Sequence, residues 1–179
     1  MTQIGVNYGN ALYELAEEEG LAGKILEQLQ VLDESFRAEP AFLRLLSTPN
    51  LTKEERLDVV DKSFRESVHS YVLNFLKILT EKGYAKYFSD CYKAYEDCYN
   101  EDNGILPVQA VSAVPLTVQQ SQKLTQKLES ITGKTVKLQH TVDENCLGGV
   151  RLLYDGILVD GTVKNRLDSI GDLLKNTVL

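Results

Sequence analysis

The sequence predicts an α+β protein, with an N-terminal antiparallel six-helix bundle over residues 1–103 followed by a small C-terminal mixed α/β domain over residues 104–179. Three observations predict it. Through the first hundred residues apolar side chains recur at three- and four-residue intervals, the spacing that lines one face of a helix. At Asn100-Glu-Asp-Asn-Gly104 that pattern stops at four polar residues and a glycine. Beyond it, runs of period-two character alternate with helical spacing, and a small sheet with helices on one face buries such elements.

The first helix carries Ile4, Tyr8, Ala11, Leu12 and Leu15 and ends near Gly20. A second holds Leu21, Ile25, Leu29, Leu32 and Phe36 and stops before Pro40, and a short third spans 41–46, ahead of Pro49. Thr52-Lys-Glu-Glu55 has the form of a capping box, in which hydroxyl and carboxylate satisfy each other's backbone amides, and Leu57, Val60 and Phe64 follow on one face. The fifth helix places Val68, Val72, Phe75, Leu76 and Leu79 together, with Gly83 suited to its C-cap. The sixth aligns Tyr84, Tyr87, Phe88, Cys91, Tyr95 and Cys98, leaving Tyr92 and Tyr99 as candidates for exposure, at an interface or on plain surface. Short connections favour antiparallel neighbours and a closed bundle.

After Gly104, residues 105–114 read as a strand bounded by Pro115. Residues 117–131 read as a polar helix with Val118, Leu124, Leu128 and Ile131 inward, and 135–142 as a second strand. Asp155-Gly156 between Val150–Leu153 and Ile157–Val159 is a hairpin signal. Arg166, Leu167, Ile170 and Leu173 begin a helical spacing that runs to the end of the chain.

Composition narrows the function classes. A net charge of −7 over 179 residues gives little electrostatic reason to hold nucleic acid. No apolar run approaches the roughly 20 residues that span a bilayer, so no direct membrane insertion is expected. No basic-then-apolar leader is present, and a cytoplasmic location is the expectation. Cys91, Cys98 and Cys146 form no disulfide framework, since two helical turns separate the first pair by about 10 Å of rise.

Catalytic and cofactor motifs are sought without result. Gly133-Lys134-Thr135 lacks the glycine a phosphate loop needs five residues earlier, where Leu128 stands, and it ends a helix instead of opening one. His69 and His140 have no partner at metal-ligand spacing and read as a helix-surface and a strand residue. No catalytic residue, cofactor site or metal site is assigned. Glu17-Glu18-Glu19 ends the first helix, where the helix dipole disfavours negative charge; a solvated face or a cation site would each account for it.

An ordered set of motifs carries a family resemblance. Gly148-Gly149, Asp155-Gly156, Asp160-Gly161-Thr162-Val163 and Arg166-Leu167 resemble the C-terminal signature of the delta subunit of F-type ATP synthases, the family of the mitochondrial oligomycin-sensitivity-conferring protein. Residues 8–16, 75–83, 111–116 and 132–138 match in order, so the resemblance covers nearly the whole chain. Cys146 stands where a branched aliphatic is usual, and Leu153 where a polar or basic residue is usual.

The resemblance implies a non-catalytic peripheral-stalk subunit, one copy per complex, at the cytoplasmic face of the bacterial plasma membrane. It implies that a groove between the first and fifth helices receives the N-terminal helix of an alpha subunit of the catalytic head. Carried over by position, that groove is Tyr8, Ala11, Leu12 and Leu15 with Val72, Phe75, Leu76 and Leu79. Read from spacing alone, the same eight positions are equally ordinary bundle core. The C-terminal domain is implied to bind the C-terminal ends of the b subunits. Such a stator resists rotation of the head during proton- or sodium-driven ATP synthesis. Leu12→Asp is expected to weaken head attachment without unfolding the chain. A helical adaptor unrelated to ATP synthase is the alternative reading.

Overall fold

A computed structural model describes residues 1–48, 51–146, 148–154 and 156–162. Within them the protein is α+β, with seven α-helices and a four-stranded mixed sheet. The helices are α1 (Gln3–Glu18), α2 (Ala22–Ala38), α3 (Pro40–Leu46), α4 (Lys53–Phe64), α5 (Ser70–Glu81), α6 (Phe88–Asp102) and α7 (Val118–Thr132). The strands are β1 (Ile105–Ser112), β2 (Thr135–Val142), β3 (Val150–Tyr154) and β4 (Ile157–Asp160). The chain forms two compact units, Met1–Tyr99 and Asn100–Leu179. The helical spacing from Arg166 onward and the Asp155 half of the hairpin signal lie outside the described residues.

In the first unit the helix boundaries follow local chemistry. Thr2 caps α1 by accepting from the Gly5 amide at 3.2 Å, and Gly20, at φ 67°, takes the left-handed conformation just beyond its end. Pro40 opens α3 at a position where its missing N–H costs nothing. The capping box at Thr52 forms as expected, with Glu55 Oε2 accepting from the Thr52 amide at 2.8 Å. His69 caps α5, its Nδ1 accepting from the Tyr71 amide at 3.4 Å.

The core is built on Ile25, Leu29, Leu32 and Phe36 of α2, on Val72, Phe75, Leu76 and Leu79 of α5, and on Phe88, Cys91 and Tyr95 of α6. Phe36 sits at its aromatic centre, edge-on to Phe88 at 4.9 Å and to Phe64 at 6.0 Å and stacked on Phe42 at 5.7 Å. One carboxylate is buried there. Asp33 is satisfied by the Ser89 hydroxyl at 2.5 Å and by Arg37 at 2.7 Å, which is what makes a charge tolerable in that place.

The buried face of α1 differs from the one that periodicity predicts. Leu12, Tyr13 and Ala16 are buried with Gly5 and Gly9, while Ile4 and Tyr8 are half-buried and Ala11 and Leu15 are exposed. The cause is contact with α6 through glycine. A Cβ at Gly9 would stand 2.4 Å from the Cys91 carbonyl oxygen, and one at Gly5 would stand 2.4 Å from the Asp90 Cβ. The backbones meet where there are no side chains, and hydrophobic spacing cannot register that. Tyr92 also departs from expectation: it is buried, at 9% exposure, and Tyr99 is half-buried.

In the second unit the strand order is β2-β1-β3-β4. β1 runs parallel to β2, from Ile105 opposite Thr135 to Ser112 opposite Val142. β3 is antiparallel to β1 and β4 is antiparallel to β3. α7 forms the crossover between the parallel strands and is framed by a capping box, Thr117 with Gln120, and by Gly133 at φ 67°. Leu106, Val108, Leu128 and Val136 make the buried cluster, with Leu124, Leu138, Leu152 and Tyr154 against it. Val118 and Ile131, expected inward, are exposed; they occupy the terminal turns of α7, which reach past that small cluster.

Candidate protein-docking surfaces

The expected groove residues separate into two groups. Val72, Phe75, Leu76 and Leu79 of α5 are between 0% and 6% exposed, and Leu12 of α1 is 5% exposed, so all five belong to the core of the helical unit. Tyr8, Ala11 and Leu15 reach solvent and, with Ile4, form a continuous stripe along one flank of α1. Leu15 is 40% exposed, and Ile78 of α5 is 45% exposed. On the same helix, Lys77 and Glu81 pair with Asp61 and Lys53 of α4. Ile78 is not among the expected groove residues, although it stands three residues beyond Phe75 on the same side of the helix. Within the stripe Tyr8 lies edge-on to Tyr84 at 5.9 Å.

The C-terminal glycines and aspartate form one tight junction. Gly149, at φ 80°, faces the Gly161 carbonyl, and a Cβ there would stand 2.4 Å from that oxygen. The Gly161 amide donates to the Val150 carbonyl at 3.1 Å. Asp160 accepts from the Thr162 hydroxyl at 2.6 Å, the Thr162 amide at 2.9 Å and Arg151 Nε at 3.1 Å. The Thr162 bonds, hydroxyl before amide, and Arg151 beside them hold the Asp160 carboxyl below the usual carboxylate range. Thr162 itself is fully buried. Gly149, Asp160 and Gly161 thus fasten the end of β4 to the start of β3, and Gly148 precedes them at φ 146°. Arg166 and Leu167 of the same signature lie outside the described residues. On the sheet face turned from the buried Ala110 row, Leu153 and Leu158 pair across β3 and β4 and are 41% and 58% exposed.

Nothing described has the geometry of acid–base or nucleophilic chemistry. His140 Nε2 lies 2.7 Å from Ser112 Oγ, but that hydroxyl also lies 2.6 Å from the Val114 carbonyl oxygen. A carbonyl can only accept, so the serine proton goes to Val114 and His140 donates to the serine, the reverse of an activated nucleophile. Gly133 is a helix C-cap facing no anion cradle. Among the described residues no three His, Cys, Asp or Glu side chains converge on a point that could hold a metal ion, and no helix is long and apolar enough to cross a membrane.

Comparison with known proteins agrees along nearly the whole chain. The family model described as ATP synthase delta (OSCP) subunit matches residues 4–174. ATP synthase subunit delta of Alkaliphilus oremlandii is 33% identical over 176 residues, 98% of each chain. The same subunit of Clostridioides difficile is 32% identical over 98% of this chain and 97% of its own. A chain in the cryo-EM structure of the Toxoplasma gondii mitochondrial ATP synthase hexamer shares the fold, with a TM-score of 0.74 at 19% identity over 97% of this chain and 98% of that one. The chain belongs to the ATP synthase delta (OSCP) subunit family, and is a structural, non-catalytic part of the F-type ATP synthase peripheral stalk.

Proposed function

We propose that this subunit ties the catalytic head to the membrane-anchored part of the stalk, at the cytoplasmic face of the bacterial plasma membrane. The helical part, residues 1–103, closes as an antiparallel six-helix bundle and binds the N-terminal helix of an alpha subunit. Residues 104–179 bind the C-terminal ends of the b subunits. The observation that carries the first contact is the partly exposed stripe of Ile4, Tyr8, Ala11 and Leu15 on α1, together with exposed Ile78 on α5. An amphipathic guest helix laid along it would remove from water the apolar surface that this unit leaves open. The core residues beneath, Leu12 and the four of α5, give that surface a rigid floor.

The mechanism is mechanical. Rotation of a central shaft changes the conformation of the head only if the head is held still, so the tie must dissociate slowly under torque. A nanomolar contact is worth about 12 kcal/mol. A few fully desolvated anchors supply much of it, at about 1.5–3 kcal/mol for each large aliphatic side chain buried.

The test is sedimentation of purified head with chain variants. Leu15→Asp and Ile78→Asp are expected to lose at least tenfold in affinity, about 1.4 kcal/mol, with an unchanged circular-dichroism melt. Leu12→Asp, placed at 5% exposure, is expected to unfold the helical unit instead and is unsuitable as a probe. Undiminished co-sedimentation of both exposed-site variants would remove the groove assignment.

A further inference from the structure

The first turn of α1 is tied to α6 through the residue that caps it. The Thr2 amide donates to Asp90 Oδ2 at 2.8 Å, across 88 positions of sequence. Glycine permits that approach: the α1 backbone at Gly5 lies so close to α6 that a Cβ there would stand 2.4 Å from the Asp90 Cβ. Thr2 is fixed from its own helix as well, its hydroxyl oxygen accepting from the Gly5 amide at 3.2 Å. Asp90 is half-buried, and its carboxylate accepts no bond from a Lys or Arg side chain among the described residues. The Thr2 side chain, and after it the Thr2 amide, hold the Asp90 carboxyl below the usual carboxylate range; burial opposes them, and the Met1 α-ammonium and Lys93 add less. Asp90 is therefore ionised, yet the nitrogen bonded to it is a neutral amide. Met1, on the other side of that nitrogen, is 68% exposed.

We propose that the Met1–Thr2 peptide bond is cleaved, and that the α-ammonium so exposed on Thr2 pairs with Asp90 and clasps the first turn of α1 to α6. The step is a hydrolysis. One water is consumed: its hydroxyl completes the carboxyl of the released methionine, and its hydrogen stays on the Thr2 nitrogen. An α-amine titrates near about 7.7–8.0, so at pH 7 that nitrogen takes up a further proton and is mostly cationic. A bond between opposite charges then replaces one between a carboxylate and a neutral amide, with the nitrogen already at bonding distance. The helix dipole disfavours a cation at the start of α1, and the Asp90 carboxylate offsets that opposition. Loss of Met1 gives up little packing, because its side chain is exposed. This pairing lies outside the groove reading and does not depend on it.

The experiment prepares the full chain starting at Met1 and starting at Thr2, each with Asp90 and as Asp90→Asn, and compares the four thermal midpoints at pH 7. With Asp90 present, loss of Met1 is expected to raise the midpoint by about 2–4 °C, the scale of a partly exposed ion pair in a domain of this size. In Asp90→Asn the same loss is expected to leave the midpoint equal or to lower it, because the dipole then acts unopposed. Acylation of the Thr2 amine near neutral pH is expected to run slower with Asp90 than in Asp90→Asn, since the pairing keeps the amine protonated; a carboxylate that only braces the fold would leave that rate unchanged. Equal midpoints for the two starts, or the same rise in Asp90→Asn, would overturn the ion pair. The intact mass of the chain purified from its own cells is expected to match Thr2 as first residue, and a chain that keeps Met1 there would overturn the cleavage.

Discussion

Gly5 and Gly9 carry more of the fold than their size suggests. Each stands where α1 and α6 touch, and a methyl group at either would overlap atoms of α6: the Cys91 carbonyl and the Ala94 Cβ near Gly9, and Asp90 near Gly5. Gly9→Ala is therefore expected to destabilise the chain by about 1–3 kcal/mol in urea unfolding. Gly23→Ala, whose nearest neighbour would be the Tyr99 hydroxyl at 3.4 Å, is expected to cost little. Burial and the neighbouring Asp90 push the Cys91 thiol up to about 12, so it stays protonated and unreactive. Alkylation of the native protein at pH 8 should modify half-buried Cys98 before Cys91 or Cys146, both 1% exposed, and equal rates would contradict their placement.

The elements were differently legible. Helix ends could be read because capping is local: the Thr52–Glu55 box and the Gly83 and Gly133 stops need only residues a few positions apart. The cap on α7 is expected to contribute as others do, so Thr117→Ala should cost about 1 kcal/mol in chemical unfolding. Helix faces were less legible. Periodicity locates an apolar stripe without saying whether a neighbour covers it, and α1 bears both a buried glycine-lined face and an adjacent open apolar one. At the hairpin, Asp160 couples three groups to one carboxylate held below its ordinary range. A carboxyl so depressed stabilises the folded chain above the ordinary carboxylate pKa, and that stability is lost as pH falls through the lower folded value. Asp160→Asn is thus expected to be less stable than wild type at pH 7 and to approach it below about pH 4, the unperturbed carboxylate range. A constant difference from pH 7 to pH 3 would contradict that linkage.

At the scale of the molecule the two units differ in how much they bury. Among the described residues the helical unit has a broad core with clustered aromatic rings, whereas the buried cluster of the sheet unit is Leu106, Val108, Leu128 and Val136. Hydrogen exchange is expected to protect the amides of α2, α5 and α6 longest and those of β3 and β4 least, since local opening follows the apolar surface an element buries. A stator needs no moving catalytic group. It needs surfaces that stay shaped under load, and side chains such as Leu12 and Leu76 are buried in the close-packed core of the helical unit.

The sequence by itself determined the α+β class, the order of elements, most of their ends and, through an ordered set of short motifs, the family. Those properties depend on residues near one another in the chain. Only the tertiary structure decided which apolar residues are core and which stay at the surface. It moved Leu12 and the α5 face inward, left Leu15 and Ile78 at the surface, and revealed glycine as the contact between α1 and α6. The reason is physical: burial belongs to a pair of surfaces, and the second surface lies dozens of residues away in the chain.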